Sequence, residues 1–328
     1  MIIRLENFLT LEFAIGQANI LGRFWRRSDL RRAVLRSHNQ RDGEKEHDSI
    51  DHKSATLSII GLLYNPFMPT IEGFAPGEFC WIELATSNQN AAKSFYTALF
   101  GWTVRDVPMG SNGVYSLLEL EGRIAAGAFA ISESESAAGV PPHWHLYVAV
   151  ASADEAAKRA GELGAKVMEA PFDVGDRGRA ALIQDPTGAF FSVWEAKQRS
   201  GVGVTGEPGS FCWADLTTGD QARAKTFYEG LFGWKLTLGE GQDSGYLHII
   251  NGEKYIGGVP PAHQGGGNQP PHWLIYFAVA DVDKTFQRAK DMNARIILRP
   301  MDFEGVGRVA MLADPQGAVF ALFREAGK

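Results

Sequence analysis

The sequence predicts an α+β fold: four βαβββ modules paired into two alike domains. The first observation is a duplication. Phe79-Cys80-Trp81-Ile82-Glu83-Leu84 returns as Phe211-Cys212-Trp213-Ala214-Asp215-Leu216, and Phe95-Tyr96…Leu99-Phe100-Gly101-Trp102 returns as Phe227-Tyr228…Leu231-Phe232-Gly233-Trp234. Both blocks keep an offset of 132, whereas Pro141-Pro142-His143-Trp144 and Asp185-Pro186-Thr187-Gly188 recur at an offset of 129, as Pro270-Pro271-His272-Trp273 and Asp314-Pro315-Gln316-Gly317. The unit far exceeds a solenoid period of roughly 20–50 residues, so a whole small domain is written twice. The second observation is that each half of a copy reads as strand, helix and three strands. The third is that such a module cannot close a core alone, so modules must pair.

Taken in order, residues 79–85 alternate as a strand. Asn88 and its twin Asp220 are N-cap residues for a helix whose apolar positions Ala92, Phe95, Tyr96, Leu99 and Phe100 fall at i, i+3, i+4, i+7 and i+8. The second copy repeats that face with Ala224, Phe227, Tyr228, Leu231 and Phe232, and Gly101 and Gly233 end the two helices. Strands follow near 103–107, 114–120 and 124–131. The second half opens with a strand over 145–150 and a helix over 153–163. That helix ends at Gly164, whose twin is Asn293; these two residue types best tolerate a left-handed C′ position. Strands over 166–170, 178–184 and 189–195 complete the copy. Asp185-Pro186-Thr187-Gly188 has the composition of a type I turn joining the last two as a hairpin.

These spacings divide the chain into a domain over 77–196, a linker over 197–208 and a domain over 209–326. The linker is inferred from Gly201, Gly203, Gly206, Pro208 and Gly209 at and beside it. It is expected to be open to proteolysis and to leave two separable folded halves. Residues 1–68 stand outside the repeat and carry Arg23, Arg26, Arg27, Arg31, Arg32 and Arg36. A membrane-surface or targeting helix is one reading, weakened as a transit peptide by Glu6, Glu12 and Asp29; the favoured one is a mobile tail or an over-extended start of translation, with Met68 opening a complete chain.

A net charge of −6 over 328 residues argues against an electrostatic grip on nucleic acid. No apolar run approaches the roughly 18–20 residues of a membrane span. The two cysteines, Cys80 and Cys212, are copies of each other in separate domains. They read as small packing residues in a reducing cytoplasm rather than as a disulfide. A monomer or a homodimer is expected. Gly265-Gly266-Gly267 lacks the Gly-Lys-Ser/Thr ending of a phosphate loop.

The opening strand with Phe95-Tyr96…Leu99-Phe100-Gly101-Trp102, the closing Gly178-Arg179…Asp185-Pro186-Thr187-Gly188-Ala189-Phe190-Phe191 and their second-copy twins resemble the vicinal-oxygen-chelate superfamily of glyoxalases, bleomycin-resistance proteins and extradiol dioxygenases. The resemblance covers 77–325. It implies two glyoxalase-like domains of a tandem bacterial, glyoxalase-like or hydroxylase-like type, their mixed sheets curled into cups with helices outside. In the superfamily's enzymes a cup floor carries a divalent metal held by first and last strands. The corresponding positions here are Trp81, His145 and Ser192 in copy one, and Trp213, Leu274 and Ala321 in copy two. One imidazole among these is not a metal site. Glu83, on the same strand face as Trp81, keeps a Glu83–His145 metal pair as the alternative.

Strand alternation sorts side chains into faces. It places Cys80, Ile82, Leu84, Trp144, Leu146, Val148 and Val150 under the helices. Phe79, Trp81, Glu83, His143, His145, Tyr147, Phe190, Ser192 and Trp194 point into the first cup, and Trp213, Asp215, His272, Tyr276, Val319 and Phe323 into the second. Each cup thus has an acid, a His, a Tyr and a Trp at matching places. Two uses are open. The groups line a pocket for a small, partly aromatic or hydroxylated molecule, sequestered without a metal or cofactor; or they satisfy one another structurally, the acid holding the His. A lyase- or oxygenase-type enzyme using Glu83 with His143 or His145, with or without a divalent metal, is the alternative function. An interaction module with filled cups is a third. Arg179 and Arg308 read as partners of Asp173 and Asp302 pinning the closing hairpins, with an anion contact at the rim as the other option.

Overall fold

A computed structural model describes residues 70–109, 113–238, 245–261 and 270–327. The Arg-rich extension and the Gly265-Gly266-Gly267 loop lie outside the described residues. The first copy runs β1 (Phe79–Thr86), α1 (Gln89–Phe100), β2 (Thr103–Pro108), β3 (Val114–Leu120), β4 (Arg123–Ala130), α2 (Glu133–Ala137), β5 (His143–Val150), α3 (Ala153–Glu162), β6 (Lys166–Val174), β7 (Gly178–Gln184) and β8 (Phe190–Ala196). The second runs β9 (Phe211–Thr217), α4 (Gln221–Phe232), β10 (Lys235–Leu238), β11 (Leu247–Asn251), β12 (Lys254–Val259), β13 (His272–Ala278), α5 (Val282–Asp291), β14 (Arg295–Phe303), β15 (Gly307–Ala313) and β16 (Val319–Glu325). The short α2 escapes the sequence reading; Ser132 and Glu135 form a capping box there.

Each copy closes one eight-stranded mixed sheet, in the orders β2-β3-β4-β1-β5-β8-β7-β6 and β10-β11-β12-β9-β13-β16-β15-β14. Modules therefore pair within a copy, through antiparallel contacts of β1 with β5 and of β9 with β13. The expected caps hold the first helices: Asn88 accepts from Ala91 N at 3.0 Å and Asp220 from Arg223 N at 2.9 Å. Gly164 and Asn293 take the left-handed φ of 87° and 67° that stops the second helices.

The two copies share one core. The helix-side faces of both sheets pack back to back, so the cups open outward. Phe100 and Trp144 of the first copy lie 4.8 and 5.1 Å, centroid to centroid, from Phe277 of the second. Reciprocally, Phe79 stacks edge-on against Trp234 and Trp273, each at 5.5 Å. Polar bonds repeat the exchange. Trp144 Nε1 donates to the Tyr96 hydroxyl at 3.1 Å, which donates across to Asp314 Oδ2 at 3.0 Å. Trp273 Nε1 donates to the Tyr228 hydroxyl at 3.2 Å, which donates to Asp185 Oδ2 at 2.8 Å. The other oxygen of each Asp accepts the backbone N–H groups of its own hairpin turn. The repeated Phe-Tyr…Leu-Phe-Gly-Trp sequence is thus a docking device between copies, and Trp102 and Trp234 complete it by donating to the Gly209 and Gly77 carbonyls.

This corrects the expectation of two separable halves. It also corrects the reading of 197–208 as a tether, because that segment is a packed strap. Val202 N donates to Cys80 O at 2.8 Å and Gly203 N to Ile124 O at 2.6 Å, which wedges the strap into the splayed start of the β1/β4 pair. The strap's own Val202 and Val204 are buried, and a Cβ at Gly201 would stand 2.3 Å from the Cys80 carbonyl. The glycines that look like flexible linker composition are there for close approach.

Candidate functional site

Register fixes the cup floor. In the first sheet Trp81 faces Tyr147 and Glu83 faces His145 across β1 and β5, while Glu83 lies beside Gly127 of β4. A β-bulge between Phe79 and Trp81 alters the strict alternation read from sequence. Phe79 turns to the helix side, and Cys80 joins the cup-side cluster with Tyr147 and Trp194. Its thiol, pushed far above its ordinary value by burial, is no nucleophile at neutral pH. The second copy carries the same bulge between Tyr276 and Phe277, opposite Phe211 and Trp213.

The acid in each cup is held by two tyrosines and a tryptophan. Tyr115 donates to Glu83 Oε2 at 2.7 Å and Tyr147 to Oε1 at 2.5 Å, and Trp81 Nε1 donates to the Tyr115 oxygen at 3.2 Å. In the second cup Tyr246 donates to Asp215 Oδ1 at 2.6 Å and Tyr276 to Oδ2 at 2.7 Å. Trp213 Nε1 lies 3.0 Å from both Asp215 Oδ1 and the Tyr246 oxygen. Room for the third-strand tyrosine comes from a missing side chain. A Cβ at Gly127 or Gly258 would sit 1.9 Å from the Tyr115 or Tyr246 hydroxyl. Burial pushes the Glu83 and Asp215 carboxyls up, and their tyrosine and tryptophan donors pull the other way.

The histidines leave this group. His143 donates Nδ1–H to the Pro141 carbonyl at 2.9 Å, as His272 does to Pro270, so each ties down its Pro-Pro turn. The expectation that the acid holds this His is corrected, since the tyrosines occupy both carboxylate oxygens. His145 shares a 2.9 Å hydrogen bond between Nε2 and Ser192 Oγ, and burial, with His143 nearby, lowers its pKa to about 3. Its twin position holds Leu274, opposite Asp215.

A cavity of about 80 Å³ lies in the first cup, floored by Trp81, Glu83, Tyr115 and Tyr147 and walled by Met109 and Trp194. Of the residues expected there, Phe79, His143, His145, Phe190 and Ser192 do not line it. Sequence reasoning missed Tyr115, Arg177 and Arg199; the last two also line the cavity, from its half-buried side. A tyrosine at the start of the third strand in one copy and just before it in the other was the available signal for Tyr115.

The positions where the family would hold a divalent metal do not fit one. Trp81 offers no lone pair, both Glu83 oxygens accept tyrosine hydroxyls, and His145 Nε2 is engaged by Ser192. Among the described residues no three His, Cys, Asp or Glu side chains converge as ligands. Arg179 forks onto Asp154 of α3, with Nε–Oδ2 2.7 Å and Nη2–Oδ1 3.0 Å, and reaches Asp173 at 3.4 Å. Arg308 does the same with Asp283 and Asp302. The clamp therefore ties helix to hairpin, with the helix Asp as its main partner.

A family model described as "Glyoxalase/Bleomycin resistance protein/Dioxygenase superfamily" matches residues 79–193 and 210–322. The chain is 37% identical over 263 residues to the "Putative glyoxylase CFP32" of Mycobacterium tuberculosis, covering 79% of this chain and 99% of that protein. It is 34% identical to the "Anthracycline biosynthesis protein DnrV" of Streptomyces peucetius, covering 76% of this chain and 94% of that one. Among solved structures, the Mn(II)-bound glyoxalase from Novosphingobium aromaticivorans superposes with a TM-score of 0.53 at 17% identity, over 76% of this chain and 82% of that one. The 2,3-dioxygenase LapB from Pseudomonas sp. KL28 superposes with a TM-score of 0.54 at 11% identity, over 76% and 92%. At those identities the likeness is one of fold. No described helix is long and apolar enough to cross a membrane.

Proposed function

This chain belongs to the glyoxalase/bleomycin resistance protein/dioxygenase superfamily, and we propose that within it the protein binds a small, partly aromatic or hydroxylated molecule in its first cup without a metal or cofactor. The observation that carries the reading is the cavity over Trp81, Glu83, Tyr115 and Tyr147: aromatic walls around a few convergent polar groups. The tetrad is fully bonded to itself, so it supplies a rigid floor rather than a free base. A flat ring stacks on Trp81 or Trp194, while the tyrosine oxygens retain lone pairs for a ligand hydroxyl. A relative named for anthracycline biosynthesis is in keeping with an aromatic ligand.

The enzymatic alternative rests on Glu83 facing His145 in register. It needs both groups freed from the tyrosines and from Ser192. Native mass spectrometry of the protein as isolated distinguishes the two. A retained small molecule and no stoichiometric metal is the expected result. About one zinc, nickel, manganese or iron per domain, lost in Glu83→Ala or His145→Ala, overturns the metal-free reading.

A further inference from the structure

The first cup holds two guanidinium groups, Arg177 and Arg199, on the wall above its Glu83 floor. Arg177 and Arg199 both line the cavity, and among the described residues neither side chain makes an ion pair or donates a hydrogen bond. Arg199 Cζ lies 6.0 Å from the centroid of the Trp81 ring, its one polar contact of note. Its backbone is fixed: Arg199 N donates to Arg177 O at 3.0 Å, and Arg199 O accepts from Trp194 Nε1 at 2.9 Å. The strap therefore lays Arg199 beside Arg177 of the β6–β7 turn, on one wall of the cup. Burial, with Arg177 and Arg105 close by, holds Arg199 below its ordinary value, while Tyr115 and Glu119 pull the other way. Elsewhere on this chain comparable arginines are matched: Arg105 with Glu119, Arg123 with Glu207, Arg179 with Asp154.

Two further facts set the kind of counter-charge. The enclosed space, about 80 Å³, is roughly half the apolar cavity of about 150 Å³ that takes up benzene. It therefore admits a flat ring only in part, and the remainder of a ligand lies toward the half-buried side, where the arginines are. Arg177 also has no twin: Val306 stands at its position, while Arg199 matches Lys328, which lies outside the described residues. The tetrad recurs through duplication, but the cation pair does not, because its Arg177 member is Val306 in the second copy.

We propose that the first cup recognises an aromatic carboxylate, its ring against Trp81 and its carboxylate on Arg177 and Arg199. This rests on the pocket reading above and names the ligand class for that site. A planar guanidinium fork matches a carboxylate in a way a neutral amide cannot reproduce. The second cup, without these arginines, does not share the preference.

The test is ligand-observed NMR titration of the full chain with benzoate and with its uncharged isostere benzamide. Wild type is compared with Arg177→Gln/Arg199→Gln and with Ala180→Trp, which fills the cavity. Benzoate is expected to bind at least tenfold more tightly than benzamide in wild type. The double variant should lose that preference while benzamide binding stays within twofold, and Ala180→Trp should abolish both. Equal affinity for the two probes, with both lost in Ala180→Trp, overturns the carboxylate proposal and leaves the pocket standing. A benzoate preference that survives in the double variant also overturns it. Binding unaffected by Ala180→Trp, or no binding of either probe, removes the cup as the site and the proposal with it. Circular dichroism of Ala180→Trp establishes that it is folded, and Val174→Phe, which narrows the same cavity, stands in if it is not.

Discussion

The two copies hold the same tetrad in different surroundings, and the difference separates what duplication supplies from what this chain has added. In the first cup Glu83 is fully buried and Tyr115 and Tyr147 nearly so, beneath Phe74 and the strap. In the second, Tyr246 and Tyr276 are half-buried. The apolar side chains Met301, Phe303 and Val306 are each 42% exposed, and no described segment crosses the opening as the strap does. His145 and Ser192 become Leu274 and Ala321, and Arg177 becomes Val306. The shared residues build a floor; the unshared ones close and charge one cup. The second copy also acts as a scaffold, because its sheet back supplies half of the core on which the first cup rests.

The most disruptive way to probe that dependence is Phe277→Ala. The ring is fully buried, and its neighbours Phe100, Trp102 and Trp144 all belong to the other copy. Truncation there should cost about 3–5 kcal/mol, and calorimetry should record one cooperative transition shifted downward for the whole chain. Were the first copy to melt at its wild-type temperature while the second melted early, the copies would be independent units after all.

The cups themselves should respond unequally to loss of the acid. Glu83→Ala strands two buried tyrosine hydroxyls, at about 1–3 kcal/mol each. Asp215→Ala strands hydroxyls that water can reach and should cost about half as much. Urea titration of the two variants gives the comparison directly, and equal losses would mean that the second cup is as closed as the first.

These differences were unevenly legible in the sequence. Periodicity identified the Phe95, Tyr96, Leu99, Phe100 face as buried, but 3.6-residue spacing says that a face is covered and not by what; the cover turned out to be the other copy. Alternation put Trp81, Glu83 and Tyr147 in the cup correctly, yet misplaced Phe79 and Cys80, because a bulge shifts register without altering composition. Tyr115 went unnoticed since its twin Tyr246 lies at an offset of 131, between the two offsets at which the copies were matched. Arg177 could not emerge from comparing copies, because Val306 stands at its position, and the glycines of the strap resemble those of a loose linker.

Acid sensitivity offers a third contrast. His145 titrates at about 3 in the folded chain, against about 6.5 when unfolded. Its folded pKa is depressed, so the unfolded chain binds the extra proton between these values. Its contribution is complete above pH 6.5 and falls as the pH drops toward 3. Between pH 6.5 and 5 that amounts to about 2 kcal/mol. His145→Gln, neutral throughout, should flatten the decline in melting temperature over that interval relative to wild type. The reverse change in the other copy, Leu274→His, should steepen it. Parallel wild-type and His145→Gln curves would show that the imidazole is hydrated in solution.

The smallest effect is expected where the copies agree. Arg179 and Arg308 make matching clamps to Asp154 and Asp283, with further reach to Asp173 and Asp302. All four carboxylates lie at the surface, where bidentate geometry helps but water and salt screen the pair. Arg179→Gln and Arg308→Gln should each lower the melting temperature by no more than about 2 °C, to similar extents, and both differences should shrink in high salt. Equality is the informative outcome. It would mark the clamp as a structural tie between helix and hairpin, inherited by both copies and indifferent to what the cups hold. If Arg179→Gln instead weakened benzoate binding at unchanged melting temperature, with Arg308→Gln silent, the clamp arginine of the first copy would be part of the anion-recognising wall. The boundary between shared scaffold and added function would then lie one residue further out than Arg177.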